Sequence, residues 1–96
     1  MIMVLHCLSA SPSSDSFDQC LRLASADDSV VLMGEACYAL LPASTGHALL
    51  AASEATVAVL APDAAARGID YGATAAMNYD ELVALSETCS QQVAWY

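Results

Sequence analysis

The chain has 96 residues, a length that suits one domain and is too short for two. Hydrophobic residues make up 57% of it but aromatic residues only 6%, so the core must use small and aliphatic side chains and is expected to leave apolar surface for a partner. Two arginines against eleven acidic residues give a formal net charge of −9, which excludes functions that depend on neutralising phosphates, direct nucleic-acid binding among them.

The first third of the chain predicts a strand, a helix and a second strand. Met1–Leu8 is a continuous apolar run, typical of a strand covered on both faces of a parallel sheet. After a serine-rich loop with Pro12, Ser14–Ser25 is predicted to be helical, because its first residue can cap a helix and its apolar residues recur at helical spacing. Ser29–Met33 is the second buried strand and stops at Gly34.

The middle of the chain predicts short helical pieces around a third strand. Glu35–Leu41 and Ala48–Glu54 are helical in composition. Ala55–Leu60 is the third strand, and the next short helix begins at Pro62 and ends at Gly68, residues that favour those two positions.

The last third predicts a strand, a capped helix and a final strand. Ala73–Met77 is a brief strand, and Asn78 begins a helix that runs to about Cys89, with Glu81 completing a capping box. The tail, residues 91–96, can pair as a last short strand.

We therefore predict one α/β domain over residues 1–96, with an open, mostly parallel sheet of four to five strands and helices on both faces. In such sheets the loops that leave the carboxyl ends of the strands line the functional crevice. This arrangement is expected to bring together Cys7–Ser11, Gly34–Cys37 and Ala61–Asp63 at one edge of the sheet.

Several classes of function lack their sequence signals. The sequence shows no secretory signal, no apolar run long enough to span a membrane and no glycine-rich phosphate loop. We expect a cytoplasmic protein that has no membrane contact and no cofactor. The four cysteines are irregularly spaced and include no CxxC pair, which favours free thiols over disulfides or a metal site. They are Cys7, Cys20, Cys37 and Cys89.

Two of these cysteines raise the question of thiol chemistry. Cys7 directly follows His6, but consecutive residues of a strand point to opposite faces, so His6 cannot activate Cys7 and packing is the preferred interpretation. Cys20 lies on the apolar stripe of the first helix, beyond the first turn where the helix dipole most lowers the pKa of a thiol. The residues alone leave Cys20 undecided between a core position and a chemical role.

Five segments follow one another over nearly the whole chain: LHCLSASP, VVLMGEACYAL, LAPDAAARG, NYDELVALS and QVAW. Together they resemble the TusB/DsrH family of sulfur relay subunits, part of the DsrE/DsrF/DsrH-like superfamily. The resemblance implies a DsrEFH-like fold and a cytoplasmic subunit that assembles with TusC/DsrF-like and TusD/DsrE-like paralogues into a heterohexamer. Such a complex passes persulfide sulfur along a chain of cysteines to a downstream acceptor protein. In the Tus branch the sulfur ends in 2-thiouridine at the tRNA wobble position, and in the Dsr branch it belongs to the oxidation of stored sulfur.

The resemblance also bears on individual residues. The principal sulfur-carrying cysteine of the family lies on the TusD/DsrE partner, whereas DsrH-type members have a cysteine in the first helix that Cys20 matches, so Cys20 is the candidate persulfide carrier of this chain. Cys7 stands where the family usually has threonine and Cys37 where it usually has an aliphatic residue, so neither inherits a role. Glu35 and Ala36 replace an Asp-Gly pair, which puts any special backbone geometry of that loop in doubt.

The leading hypothesis is a non-catalytic or accessory subunit of a sulfur relay complex that supports tRNA wobble uridine 2-thiolation. Three alternatives stay open. They are a DsrH-type subunit in sulfur oxidation with Cys20 as carrier, an independent thiol sulfurtransferase that uses Cys20 or Cys7, and a stand-alone small α/β binding module.

Overall fold

A computed structural model describes residues 3–96 as one five-stranded, fully parallel sheet in the order β4-β3-β2-β1-β5. This confirms the predicted α/β class, and the tail of the chain is the fifth strand. The first two residues of the predicted first strand lie outside the described residues. The strands are β1 (Val4–Leu8), β2 (Ser29–Leu32), β3 (Thr56–Leu60), β4 (Ala75–Met77) and β5 (Gln91–Trp95).

Helical segments connect the strands and cover both faces of the sheet, as predicted. The α-helices are α1 (Asp15–Leu23), α2 (Thr45–Ala52), α3 (Ala61–Ala66) and α4 (Tyr79–Thr88), and a 3₁₀ helix spans Gly34–Leu40. Residues of α1 and the 3₁₀ helix belong to the larger apolar cluster on one face, around Phe17 and Leu32, and Leu49 and Leu50 of α2 pack against it. Leu82 and Leu85 of α4 pack against a smaller cluster of Leu5, Val31 and Leu60 on the other face.

The helix starts follow local capping chemistry. The Ser14 hydroxyl accepts the amide of Phe17 in α1, and Asn78 forms the predicted capping box with Glu81 in α4. The predicted start of the second helical piece at Ala48 was wrong, because α2 begins earlier, where the Ser44 hydroxyl accepts the amide of His47 at 3.1 Å. Such side-chain caps satisfy amides that the first helical turn leaves without partners.

The segment after β2 is a 3₁₀ helix rather than an α-helix. It packs closely against α2 through Gly46, where an added Cβ would lie 2.9 Å from the Cβ atoms of both Ala39 and Pro12. That spacing is too short for any side chain, so glycine is required where the two segments meet. Because the residues on both sides of this contact are small, the two short helices can pack closely against each other.

A buried histidine joins three separate parts of the sheet. The Nε2 atom of His6 lies 3.0 Å from the Asp28 carboxylate, and the indole N–H of Trp95 donates to His6 Nδ1 at 3.0 Å. Because an indole N–H can only donate, Nδ1 is the acceptor, and the imidazole is the neutral tautomer with its proton on Nε2 facing Asp28. The network ties β1 to the turn before β2 and to the last residue of β5.

Asp28 receives further hydrogen bonds from the amides of Ser25 at 3.0 Å and Val4 at 3.2 Å. Burial by itself raises the pKa of the Asp28 carboxyl, but the hydrogen bonds from His6, Ser25 and Val4 outweigh burial and lower the pKa below its ordinary value. The folded state therefore stabilises the ionised carboxylate, which links folding to pH.

We predict that Asp28→Asn destabilises the protein by about 1–3 kcal/mol at neutral pH, because it weakens charge-assisted hydrogen bonds to buried donors. Since the folded pKa is lowered, the contribution of the carboxylate is complete above the ordinary aspartate pKa and is lost as the pH falls through the folded value. Chemical denaturation across acidic and neutral pH measures both effects. The exposed neighbour Asp27 provides the matched control, and equal losses in Asp28→Asn and Asp27→Asn would contradict the prediction.

Candidate functional site

The carboxyl ends of the strands meet at one edge of the sheet, where the sequence placed the functional crevice. The amide of Gly34, just after β2, donates to the Asp63 carboxylate at 2.8 Å, and the Tyr79 hydroxyl donates to the other oxygen of the same carboxylate at 3.1 Å. Ser9, just after β1, donates its amide and its hydroxyl to the Trp95 carbonyl. The predicted meeting of the loops after β1, β2 and β3 is therefore confirmed.

Gly34 occupies a left-handed backbone conformation, with φ +52°, which a side chain rarely adopts. A Cβ at this position would lie 3.8 Å from Ser9 Cβ and 3.9 Å from the guanidinium of Arg67. The loop after β2 thus has a left-handed residue, whereas Glu35 and Ala36, which replace the Asp-Gly pair usual in the family that the sequence resembles, have no positive φ and lie within the 3₁₀ helix. The glycine that supplies this geometry is the preceding residue.

Cys20, the candidate carrier, lies in the core of the isolated chain. Its side chain is 0% exposed, within the cluster that also contains Phe17 and Leu32. Burial raises the pKa of the Cys20 thiol to about 12. A persulfide carrier must present a thiolate to another cysteine, and this thiol is both protonated at neutral pH and enclosed.

Cys37 lies at the predicted edge, but its thiol is also buried. Its Sγ donates to the Leu32 carbonyl at 3.8 Å. Burial and the nearby Asp63 carboxylate raise the pKa of the Cys37 thiol, and the opposing effect of Arg67 is smaller. The position therefore favours a packed thiol over a reactive one.

Cys7 and Cys89 are partly buried on the opposite face of the sheet, against the cluster of Leu5, Val31 and Leu60. Burial and the neighbouring Cys89 raise the pKa of the Cys7 thiol. His6 points to the other face, where Asp28 and Trp95 occupy both ring nitrogens. The expectation that His6 does not activate Cys7 is therefore confirmed.

Sequence reasoning missed two side chains that organise this region. Asp63 was expected at this edge only as part of the segment after β3, yet its carboxylate joins the ends of β2 and β3 to the start of α4. Asp28 lies between the predicted first helix and second strand and was given no functional role, yet it is the buried partner of His6. The available signal was an acidic residue beside an apolar strand, which by itself does not identify a partner.

Residues 3–96 contain neither a metal-binding cluster nor a membrane-spanning helix. In this range no three side chains among His, Cys, Asp and Glu come together as a metal site would require. None of the helices described there is both long and apolar enough to cross a membrane.

Several large hydrophobic side chains are exposed, and two of them line one groove. An open groove of about 700 Å³ lies between the first turns of α1 and α2, and Tyr38 and Leu41 line it together with serine hydroxyls. The large hydrophobic residues with substantial exposure are Leu23, Tyr38, Leu41, Tyr79, Val83, Val93 and Tyr96. Exposed apolar groups of this kind favour contact with partner proteins.

Comparisons with known proteins agree on one family. A family model described as DsrH like protein matches residues 10–92. Protein TusB of Pectobacterium parmentieri is 35% identical over 95 residues, covering 96% of this chain and all of that protein. Protein TusB of Sodalis glossinidius (strain morsitans) is 33% identical over the same span and coverage.

Two solved structures share the fold. The ychN protein from E. coli superposes with a TM-score of 0.77, at 20% identity and 99% coverage of both chains. Protein Tm0979 from Thermotoga maritima, solved by NMR, gives a TM-score of 0.66 at 22% identity, covering 88% of this chain and 92% of that one. At these identities the two structures support the architecture alone.

We predict that alkylating reagents distinguish the four thiols of the native chain. A pKa of about 12 instead of the ordinary 9.0 leaves Cys20 with about 1000-fold less thiolate at a given pH, so Cys20 should react at least about 100-fold more slowly than the partly buried Cys89. Mass spectrometry of the alkylated peptides measures the rates. In denaturant all four thiols should react alike, and native labelling of Cys20 as fast as that of Cys89 would refute the burial.

Proposed function

Because the chain belongs to the DsrH/TusB family of sulfur relay subunits, we propose that it is an accessory subunit of a cytoplasmic complex of the TusBCD/DsrEFH type. Its partners are TusC/DsrF-like and TusD/DsrE-like paralogues, and the complex delivers sulfur to a downstream acceptor protein. In this proposal the chain supports persulfide transfer through its surfaces, while cysteines of the other subunits carry the sulfur.

The burial of Cys20 is the observation that carries this proposal. In persulfide transfer an acceptor thiolate attacks the outer sulfur of a donor persulfide, a new S–S bond forms, and the donor cysteine leaves as a thiolate. Donor and acceptor cysteines must therefore approach one another closely. Cys20 is enclosed by the core, and its thiol has a pKa of about 12, so the chain alone offers no thiolate there for this exchange.

The names of the curated relatives favour the branch that ends in tRNA thiolation, since both are called Protein TusB. A formal net charge of −9 opposes direct contact with tRNA phosphates. In the proposed pathway another protein of the relay therefore holds the tRNA, and this chain contributes to 2-thiouridine formation only through the complex.

A second candidate function is a DsrH-type subunit of sulfur oxidation in which Cys20 carries the persulfide. The cysteine in α1 and the DsrH description of the matching family favour it. This function requires that α1 turn Cys20 away from the core when the partner subunits bind. It therefore differs from the first candidate in where sulfur resides within the assembled complex.

We predict that the complex reconstituted with both paralogues takes up sulfur from a persulfide donor without forming a persulfide on this chain. Mass spectrometry of each subunit locates the added sulfur. The variant Cys20→Ala should transfer sulfur at a rate within about twofold of the unmodified complex, because a buried thiol with a raised pKa contributes no nucleophile. Cys7→Ser provides the control for a substitution at a thiol that is only partly buried.

Two outcomes would contradict the proposal. Sulfur on Cys20 that disappears only in Cys20→Ala would support the second candidate instead. A chain that stays separate from both paralogues would point to an independent binding module.

We also predict that removing this chain from its cell lowers tRNA 2-thiouridine at the wobble position. The reason is that the paralogous subunits would lack the surface that completes their complex. Liquid chromatography with mass spectrometry of digested tRNA measures the modified nucleoside, and the unmodified chain should restore it. Unchanged 2-thiouridine together with impaired sulfur oxidation would favour the second branch.

A further inference from the structure

Within residues 3–96, the strand β5 forms one edge of the sheet and pairs only with β1. At its start the Gln91 amide donates to the Met3 carbonyl, and at its end the Trp95 carbonyl accepts from the amide of Ser9. In a parallel pair, alternate residues direct both backbone groups toward the neighbouring strand. The backbone N–H and C=O groups of Gln92 and Ala94 therefore point away from the sheet.

This edge lacks the devices that usually block pairing with another strand, such as charged side chains, proline or a very short strand. Residues 88–96 contain neither proline nor any acidic or basic residue. Val93 is 36% exposed and the following Tyr96 is 86% exposed. The opposite edge of the sheet does have such a device, because its strand β4 is only three residues long.

The edge is also held in an extended conformation. Trp95 donates its indole N–H to His6, and its carbonyl accepts from both the amide and the hydroxyl of Ser9. A strand that is already fixed loses little conformational entropy when another strand pairs with it. The free edge of β5 is therefore a ready template for strand addition.

We propose that the β5 edge pairs antiparallel with the β5 edge of a second copy of this chain, about a twofold axis at Val93. In this register each Gln92 faces Ala94 of the other copy, and each such pair exchanges both of its N–H···O bonds. The two Val93 residues form the non-hydrogen-bonded pair between them, with Cα atoms about 4.5 Å apart. The contact is isologous and closes as a dimer with one continuous sheet.

The charge distribution favours a second copy as the occupant. Each chain carries a formal net charge of −9, so most contacts between copies bring like charges together. The strip from residue 88 to residue 96 has no charged side chain, so a contact between two copies there places no pair of like-charged side chains of the strip against each other. A basic partner would find no carboxylate along β5 and would be attracted to the acidic surface elsewhere.

A contact made by one short strand is small, so we expect a dissociation constant in the micromolar range. Sedimentation of the isolated full chain, from micromolar to millimolar concentration, measures it. The experiment uses this chain without other subunits, so its result tests self-association separately from the proposed relay function. Reversible dimers are the expected result.

Two substitutions test the register. Val93→Lys places two ammonium groups side by side at the axis, and Ala94→Pro removes an outward N–H while leaving the bonds to β1 intact. Each should raise the dissociation constant at least roughly tenfold. Val83→Lys adds the same charge to another exposed valine, on α4, and should leave the constant unchanged. Circular dichroism verifies that each variant is folded.

Disulfide trapping tests the same geometry independently. A Cα separation of about 4.5 Å lies within the range that a disulfide spans, so Val93→Cys should cross-link two chains under mild oxidation, whereas Val83→Cys should not. A chain that stays monomeric at all concentrations would overturn the proposal. So would a dimer that Val93→Lys and Val83→Lys affect equally, or a β5 edge that pairs only with a paralogous subunit.

Discussion

The hydrogen bonds made by His6 are the interaction on which the rest of the sheet depends. They join β1 to residues that lie 22 and 89 positions away along the chain. Asp28 fixes the turn that leads into β2, and Trp95 fixes the end of β5 beside the backbone ladder that joins β5 to β1. Because a buried imidazole or carboxylate without partners costs free energy, other registers of these strands are disfavoured.

Hydrogen bonds between distant parts of the chain also shape two surfaces, the carboxyl edge of the sheet and the free edge of β5. At the carboxyl edge, Asp63 holds the ends of β2 and β3 against α4, so this edge is organised by hydrogen bonds rather than by an open reactive pocket. At the side of the sheet, the fixed position of Trp95 keeps β5 extended with its outer backbone groups free. The edges and grooves of this small domain are therefore exposed for contact with other chains.

The placement of the thiols agrees with that interpretation. Cys20 and Cys37 fill a core built from small side chains, and burial raises the pKa of each thiol. Cys7 and Cys89 pack against the smaller cluster on the opposite face. Sulfur transfer needs an acceptor thiolate that reaches a donor persulfide, whereas these thiols contribute mainly apolar volume. In the proposed function the chain acts by holding its partners, and its acidic surface limits which molecules approach it.

The sequence by itself determined the class of the fold and most of its elements, because these follow from local patterns. Apolar runs predicted the strands, and the capping residues Ser14 and Asn78 predicted where α1 and α4 begin. The order of motifs along the chain predicted the family. Local composition was less informative in the middle of the chain, where Ser44 and the close contact at Gly46 determine how α2 begins and packs.

Only the tertiary structure decided the environment of the functional candidates. Helical spacing placed Cys20 on the apolar stripe of the first helix and left its role undecided, because the cover over that stripe comes from residues of the sheet and the other helices. The partners of His6 and Asp63 likewise come from distant parts of the chain. A periodic pattern specifies the direction of a side chain, whereas burial, pKa and hydrogen-bond partners depend on contacts that form only when the chain folds.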